Sequence, residues 1–327
     1  MTPMPASLRS FWITLIAGWI ALGAAGVLYA RLKFVPPALA VPIAAAFLLE
    51  FSFYLLPGFA AARERLERSL TAHVRALALA LSALAPYLLY SLLTGQFRIA
   101  ALARLALLAA AVAFWYVIRR PSVTADLAFL LLLAAPVLSR FFERIYTSPL
   151  GNIDVAVLGK LMLIRLAATI ILTVRRAEGI GFGFLPEWRE WKVGIVHYLM
   201  FVPIGFSLAA GIGLLRFEPF HDEAWKVAAI FAGMLWVVAL SEEFYFRGLL
   251  QNWIAGWTGR PQLALAIASV LFGLAHLGFR TFPNWRFALV AAVAGWFYGR
   301  AYRRAGGIRA AMVAHALTNV TARVFFV

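Results

Sequence analysis

Apolar runs of helix length recur along the whole chain and dominate what it can fold into. A helix needs about 20 residues to cross the hydrocarbon core of a bilayer, at about 1.5 Å per residue. Such runs begin near residues 11, 35, 75, 99, 123, 155, 194, 226, 261, 286 and 307. Because the fifth run is short and the fourth contains Arg104, we expect an all-α, polytopic transmembrane helical bundle of about 9–11 spans.

The composition excludes the common alternatives to a membrane protein. Hydrophobic residues make up 64% of the chain and charged residues 13%. Soluble domains average about half apolar and about a quarter charged residues, and disordered chains and coiled coils are more polar still. The chain has no cysteine, which excludes disulfides, thiolate nucleophiles and cysteine-ligated metals.

The basic residues point to a lipid bilayer as the partner. Thirty Lys and Arg stand against 14 Asp and Glu, a net charge of +16. They cluster in short gaps between apolar runs, such as residues 119–120, 175–176 and 303–304, where they face anionic headgroups. We therefore expect no nucleic-acid partner. The distribution over alternate loops favours a cytoplasmic N-terminus in a multi-pass integral membrane protein, in the inner (cytoplasmic) membrane if the source is bacterial.

Two polar stretches, residues 140–154 and 177–193, interrupt the apolar pattern. The second combines Trp188 and Trp191 with charged residues, which is typical of an interfacial segment. We predict an N-terminal multi-span membrane region at residues 1–190, to which no chemistry is assigned, and a C-terminal core at residues 191–327.

Ionisable residues inside spans are costly, so each is a candidate for function. Several have a simpler structural interpretation. Glu50 has Lys33 and Arg63 as possible neighbours. Asp126 stands in the first turn of its helix, where the helix dipole favours a negative charge. Arg165 is expected either to extend towards the headgroups or to face the bundle.

Glu242 and Glu243 are adjacent carboxylates deep in an apolar helix. Glu242 lies about 24 Å along the helix axis from Lys226. Glu243 and Arg247 form an i, i+4 pair in the favourable order. Such a pair leaves Glu242 without a local cation, which suits a general base.

Two later helices carry further polar pairs at i, i+4 spacing. Phe272 precedes His276, and His315 precedes Asn319. Three helices can thus bring a carboxylate, two imidazoles and an amide to a similar membrane depth. The structural alternative is that these polar side chains only link helices in the core. No HExxH, G-x-S-x-G or P-loop string is present, so zincin, serine-hydrolase and ATP-driven mechanisms are not indicated.

The three strings at 242–247, 272–276 and 315–319 read EE-x-x-x-R, F-x-x-x-H and H-x-x-x-N. In this order, on apolar helices, they resemble the CAAX-protease and bacteriocin-processing family, which includes the type II CAAX prenyl endopeptidases. The resemblance covers roughly residues 190–327.

The resemblance implies an intramembrane endopeptidase that cleaves a membrane-associated or lipidated protein or peptide. Glu242 and His276 would activate a water, and His315 and Asn319 would donate hydrogen bonds to the tetrahedral oxyanion. The supporting residues would be Glu243, Arg247 and Phe272.

Two alternatives stay open. Glu242, His276 and His315 could instead bind a divalent metal such as zinc, although Asn319 suits an amide donor and favours a mechanism without a cofactor. The same residues could also form a buried proton relay in a non-catalytic membrane transporter or scaffold.

Overall fold

The computed structural model describes residues 8–151, 153–218 and 224–326. It is helical almost throughout, and the described residues include no β-strand, only an isolated bridge between Phe217 and Phe326. The chain divides into two compact units between Ala177 and Glu178. This structural division precedes the boundary that we predicted at 190–191.

The first unit is a set of helices, most of them joined by short turns. Its helices are α1 Arg9–Leu32, α2 Pro37–Tyr54, α3 Ala60–Ser69, α4 Ala72–Leu93, α5 Ile99–Ile118, α6 Val123–Leu138, α7 Phe141–Ile145 and α8 Val157–Arg175. Side chains fix two of the starting points: Thr71 accepts a hydrogen bond from the backbone N–H of Val74, and Ser122 from that of Ala125. Such N-caps satisfy amides that have no partner inside the helix.

A buried ion pair links α2 to α8 in this unit. Arg165 Nε donates to Glu50 Oε1 over 2.6 Å, and Arg165 Nη1 donates to Ser82 Oγ over 2.9 Å. Both charged side chains are almost completely buried. Our expectation that Glu50 pairs with Lys33 or Arg63 is therefore wrong, because helix packing brings a cation from much later in the chain.

Asp126 also has more than the helix dipole to stabilise it. Tyr116 Oη donates to Asp126 Oδ1 over 2.6 Å, and Arg175 Nη2 donates to Asp126 Oδ2 over 2.8 Å. The carboxylate thus connects α5, α6 and α8.

The described residues of the second unit form five long helices. They are α9 Trp188–Gly211, α10 Ala224–Thr258, α11 Pro261–Ala275, α12 Trp285–Ala305 and α13 Ile308–Phe325. A capping box of Glu187 and Glu190 starts α9. Helix α12 packs against α9, α11 and α13, and α13 also packs against α10.

Helix α10 departs from regular α-helical geometry around the two adjacent glutamates. It has π-helical turns at Met234–Ala239 and Phe244–Gln251, on either side of the α-helical segment Leu240–Glu243. Short π-helical turns inside α-helices are frequent at functional sites.

In the part of the chain that the structure describes, seven helices are long and apolar enough to cross a membrane, judged by length and composition. They are α1, α2 with its following turn, α4, α5, α8, α9 and α10. Helices α6 and α11 are apolar but shorter. The prediction of an all-α, multi-pass membrane protein is confirmed, and the figure of nine to eleven spans stays a prediction.

Candidate active site

Glu242 and two histidines from separate helices lie around one point in the second unit. Glu242 Oε2 is 3.8 Å from His276 Nε2 and 3.9 Å from His315 Nε2. Glu242 lies in α10, His276 directly follows α11, and His315 lies in α13. The side chain of Glu242 is 30% exposed and that of His276 is 19% exposed, whereas His315 is buried. The Glu242 side chain is therefore partly exposed to solvent.

The hydrogen bonds of the two imidazoles fix which ring nitrogen faces Glu242. His276 Nδ1 is 2.7 Å from the carbonyl oxygen of Phe272, and His315 Nδ1 is 2.8 Å from Glu243 Oε1. A carbonyl or carboxylate oxygen only accepts, so each Nδ1 carries the hydrogen. In its neutral form each ring then turns the lone pair of Nε2 towards Glu242.

Glu242 Oε2 itself is buried and makes no hydrogen bond within the described ranges. A carboxylate oxygen and two imidazole lone pairs are all acceptors. These acceptors therefore require a hydrogen-bond donor between them. A water molecule, or a second proton on one of the imidazoles, supplies it.

A buried ion pair supports His315 on the Nδ1 side of its ring. Arg247 Nη1 donates to Glu243 Oε1 over 3.1 Å, and Arg247 Nη2 donates to the carbonyl oxygen of Gly295 over 2.9 Å. Both charged side chains are fully buried. A Cβ atom on Gly295 would lie 3.2 Å from Arg247 Nη2, so a glycine at this position lets the guanidinium approach the α12 backbone.

Aromatic rings enclose the polar groups. The ring of Phe272 lies 4.5 Å from the Arg247 guanidinium, 4.7 Å from the His276 ring and 5.7 Å from the His315 ring. The ring of Tyr298 stacks on His315 at 4.7 Å and 14°. Tyr298 is not among the residues predicted from the sequence. The available signal was the small-xxx-small spacing at 295–299, which predicts a closely packed helix face.

Asn319 lies one helical turn after His315, but its amide points to a different partner. Asn319 Nδ2 donates to Met234 Sδ over 3.8 Å. Among the described residues no hydrogen bond joins Asn319 to Glu242 or His315. A thioether is a weak acceptor. A stronger acceptor can therefore replace the Met234 sulfur as the hydrogen-bond partner of Asn319 at little cost in free energy.

A divalent metal is the alternative occupant of this group of side chains. Within ranges 8–151, 153–218 and 224–326, no group of three His, Cys, Asp or Glu side chains is placed to hold a metal ion. The Glu242 oxygen and the two Nε2 atoms are nevertheless the correct donor types for zinc.

Comparison with known proteins agrees with the motifs. Residues 224–321 match the family described as type II CAAX prenyl endopeptidase Rce1-like. No curated protein and no solved structure matches the chain. Glu242, His276, His315 and Asn319 all lie inside the matched segment. Residues 224–321 therefore carry a domain similar to the Rce1-like CAAX endopeptidases, which confirms the resemblance read from the three motifs.

Proposed function

We propose that this protein is an intramembrane endopeptidase that hydrolyses a peptide bond in a membrane-anchored or lipidated protein or peptide. One observation carries the proposal: a carboxylate oxygen that has no hydrogen-bond partner among the described residues faces two imidazole nitrogens at 3.8 and 3.9 Å. The Rce1-like match supports a protein or peptide as substrate.

Glu242 is the proposed general base. Two acceptors 3.8 Å apart can both accept from one water, because hydrogen bonds to oxygen and nitrogen span about 2.7–3.2 Å. Glu242 takes one proton from this water as the water oxygen bonds to the carbonyl carbon of the substrate. At the same time His276 accepts a hydrogen bond from the second hydrogen of the water. The carbonyl electrons move onto oxygen, and the proton later passes to the leaving amine as the C–N bond breaks.

His315 and Asn319 are the proposed donors to the tetrahedral oxyanion. Because Nδ1 of His315 already bonds to Glu243, Nε2 can donate only when the ring carries both protons. The Glu243 carboxylate, 2.8 Å away, stabilises that imidazolium. Asn319 supplies a second donor by exchanging the Met234 sulfur for the oxyanion. Each such donor contributes about 2.7–4 kcal/mol in hydrolases.

The test is hydrolysis of an internally quenched peptide by the full chain in proteoliposomes. The peptide is supplied in two forms, with and without a farnesylated cysteine. Glu242→Gln and His276→Ala are each expected to lower kcat about 10²–10⁴-fold. Glu64→Gln, at a half-exposed glutamate of α3, is the matched control and retains activity. Full hydrolysis by both site variants rules out the proposed base.

A proton relay in a transporter or scaffold is the second candidate, because Glu242 and two imidazoles in contact range can also pass protons. In that case the same proteoliposomes show proton flux that Glu242→Gln abolishes, with no peptide hydrolysis in the unmodified protein.

A further inference from the structure

A basic cavity lies where α9 begins and α12 ends in the second unit. Its volume is about 470 Å³, within the range of small-molecule sites. The residues that line it are Trp188, Arg189, Lys192, Val193 and Arg304. Three of these five side chains are cationic and none is acidic.

The positive charges of the basic cavity lack a paired carboxylate in the part of the chain that the structure describes. Among the described residues, none of its three cations forms an ion pair or a hydrogen bond with a carboxylate. The nearest acids along the chain, Glu187 and Glu190, are instead bonded to Arg309, at 3.3 and 2.9 Å. Three uncompensated charges around one concave surface create a strong local positive potential.

The position of the cavity indicates where its ligand comes from. Helix α9 is one of the seven candidate membrane spans and begins at Trp188. The Trp188 side chain is 72% exposed, and Lys192 Nζ lies 5.1 Å from its ring centre. Exposed tryptophans beside basic residues at span ends mark the headgroup level of a bilayer. Basic pockets between membrane helices at this level bind anionic headgroups.

We propose that the basic cavity binds the phosphate group of an anionic membrane lipid. Arg189 and Arg304 supply planar guanidinium donors for the phosphate oxygens, and Lys192 supplies a point charge. Trp188 packs beside the glycerol group of the bound lipid. The site is separate from Glu242 and does not depend on the proposed peptidase activity.

The test measures lipid binding rather than hydrolysis. The full chain is purified in neutral detergent and titrated with dioctanoyl phosphatidylglycerol, and bound lipid is counted by native mass spectrometry. The triple variant Arg189→Gln, Lys192→Gln, Arg304→Gln is expected to lose about 100-fold in affinity. The control Arg65→Gln, Arg119→Gln, Arg120→Gln removes the same charge from exposed positions of the first unit and retains the affinity.

Dioctanoyl phosphatidylcholine and inorganic phosphate complete the design. We expect weak binding of the zwitterionic lipid and no displacement of the anionic lipid by millimolar phosphate. Unchanged affinity in the triple variant, or an equal loss in the control, overturns the proposal. Displacement by phosphate alone shows that the cavity binds a soluble anion and overturns the proposal of a lipid ligand. If the triple variant does not fold, Lys192→Gln alone is expected to lose about fivefold.

Discussion

Glu243 Oε1 accepts hydrogen bonds from both His315 Nδ1, at 2.8 Å, and Arg247 Nη1, at 3.1 Å. One carboxylate oxygen thus joins a buried guanidinium to an imidazole of the candidate site. The guanidinium offsets the charge of Glu243, and Glu243 in turn can stabilise a second proton on His315.

The first prediction concerns the negative charge of Glu243. Glu243→Gln keeps an oxygen acceptor for His315 but removes the negative charge, so the imidazolium is no longer stabilised. We expect kcat for peptide hydrolysis to fall about 10²–10³-fold, as for loss of one oxyanion donor, with a much smaller change in KM. Steady-state kinetics in proteoliposomes measure both constants.

Glu243→Asp provides the comparison for the first prediction. It retains the charge on a shorter side chain, so we expect part of kcat to return. Equal losses in the Gln and Asp variants mean that shape, rather than charge, is what His315 requires.

The second prediction concerns Tyr298, whose ring stacks on His315 and lies 5.5 Å from the Arg247 guanidinium. Such aromatic contacts contribute about 0.5–1.5 kcal/mol. Tyr298→Leu is therefore expected to lower kcat about two- to tenfold, because His315 is less well oriented. Tyr298→Phe keeps the stack and loses only the hydroxyl group. If Phe is as damaging as Leu, the hydroxyl and not the stack matters.

Much of the helical architecture could be predicted from the sequence. Run length and apolar character are local properties, and α5 begins and ends where its apolar run does, at residues 99 and 118. The i, i+4 pairing of Glu243 with Arg247 is equally local, because helix geometry alone places the two side chains together. Sequence patterns predict structure where the interacting residues lie only a few positions apart in the chain.

Contacts between distant helices could not be predicted in the same way. Glu50 pairs with Arg165 rather than with a nearby cation, because α2 and α8 pack together and no local pattern encodes that neighbour. Tyr298 was missed for the same reason: its ring matters only once α12 lies beside α13. Asn319 was placed correctly on its helix, yet its observed partner, Met234, belongs to another helix.

The third prediction concerns metal removal. Because the proposed mechanism activates water with Glu242 and His276 and uses the Asn319 amide as an oxyanion donor, we expect hydrolysis to survive exhaustive dialysis against EDTA and 1,10-phenanthroline within about twofold. Metal content is measured on the same samples by mass spectrometry. Loss of activity that stoichiometric Zn²⁺ restores contradicts the mechanism proposed for Glu242 and favours a metal site.

The fourth prediction concerns the stability of the first unit. Arg165→Met leaves the fully buried Glu50 without its cation, which is expected to cost about 3–5 kcal/mol of unfolding free energy. Arg104→Met changes an exposed arginine of α5 and is expected to cause no loss. Unfolding in detergent, followed by circular dichroism, compares the two variants.

The double variant Glu50→Leu, Arg165→Met separates the value of the pair from the penalty of breaking it. Replacing a buried ion pair by apolar side chains of similar size is often neutral or stabilising, so we expect the double variant to recover most of the stability that Arg165→Met loses. The expectation rests on the pair being almost completely buried, with Ser82 as a further hydrogen-bond partner of Arg165. A double variant as unstable as Arg165→Met shows instead that Glu50 and Arg165 hold α2 and α8 together by a contribution that apolar packing cannot replace.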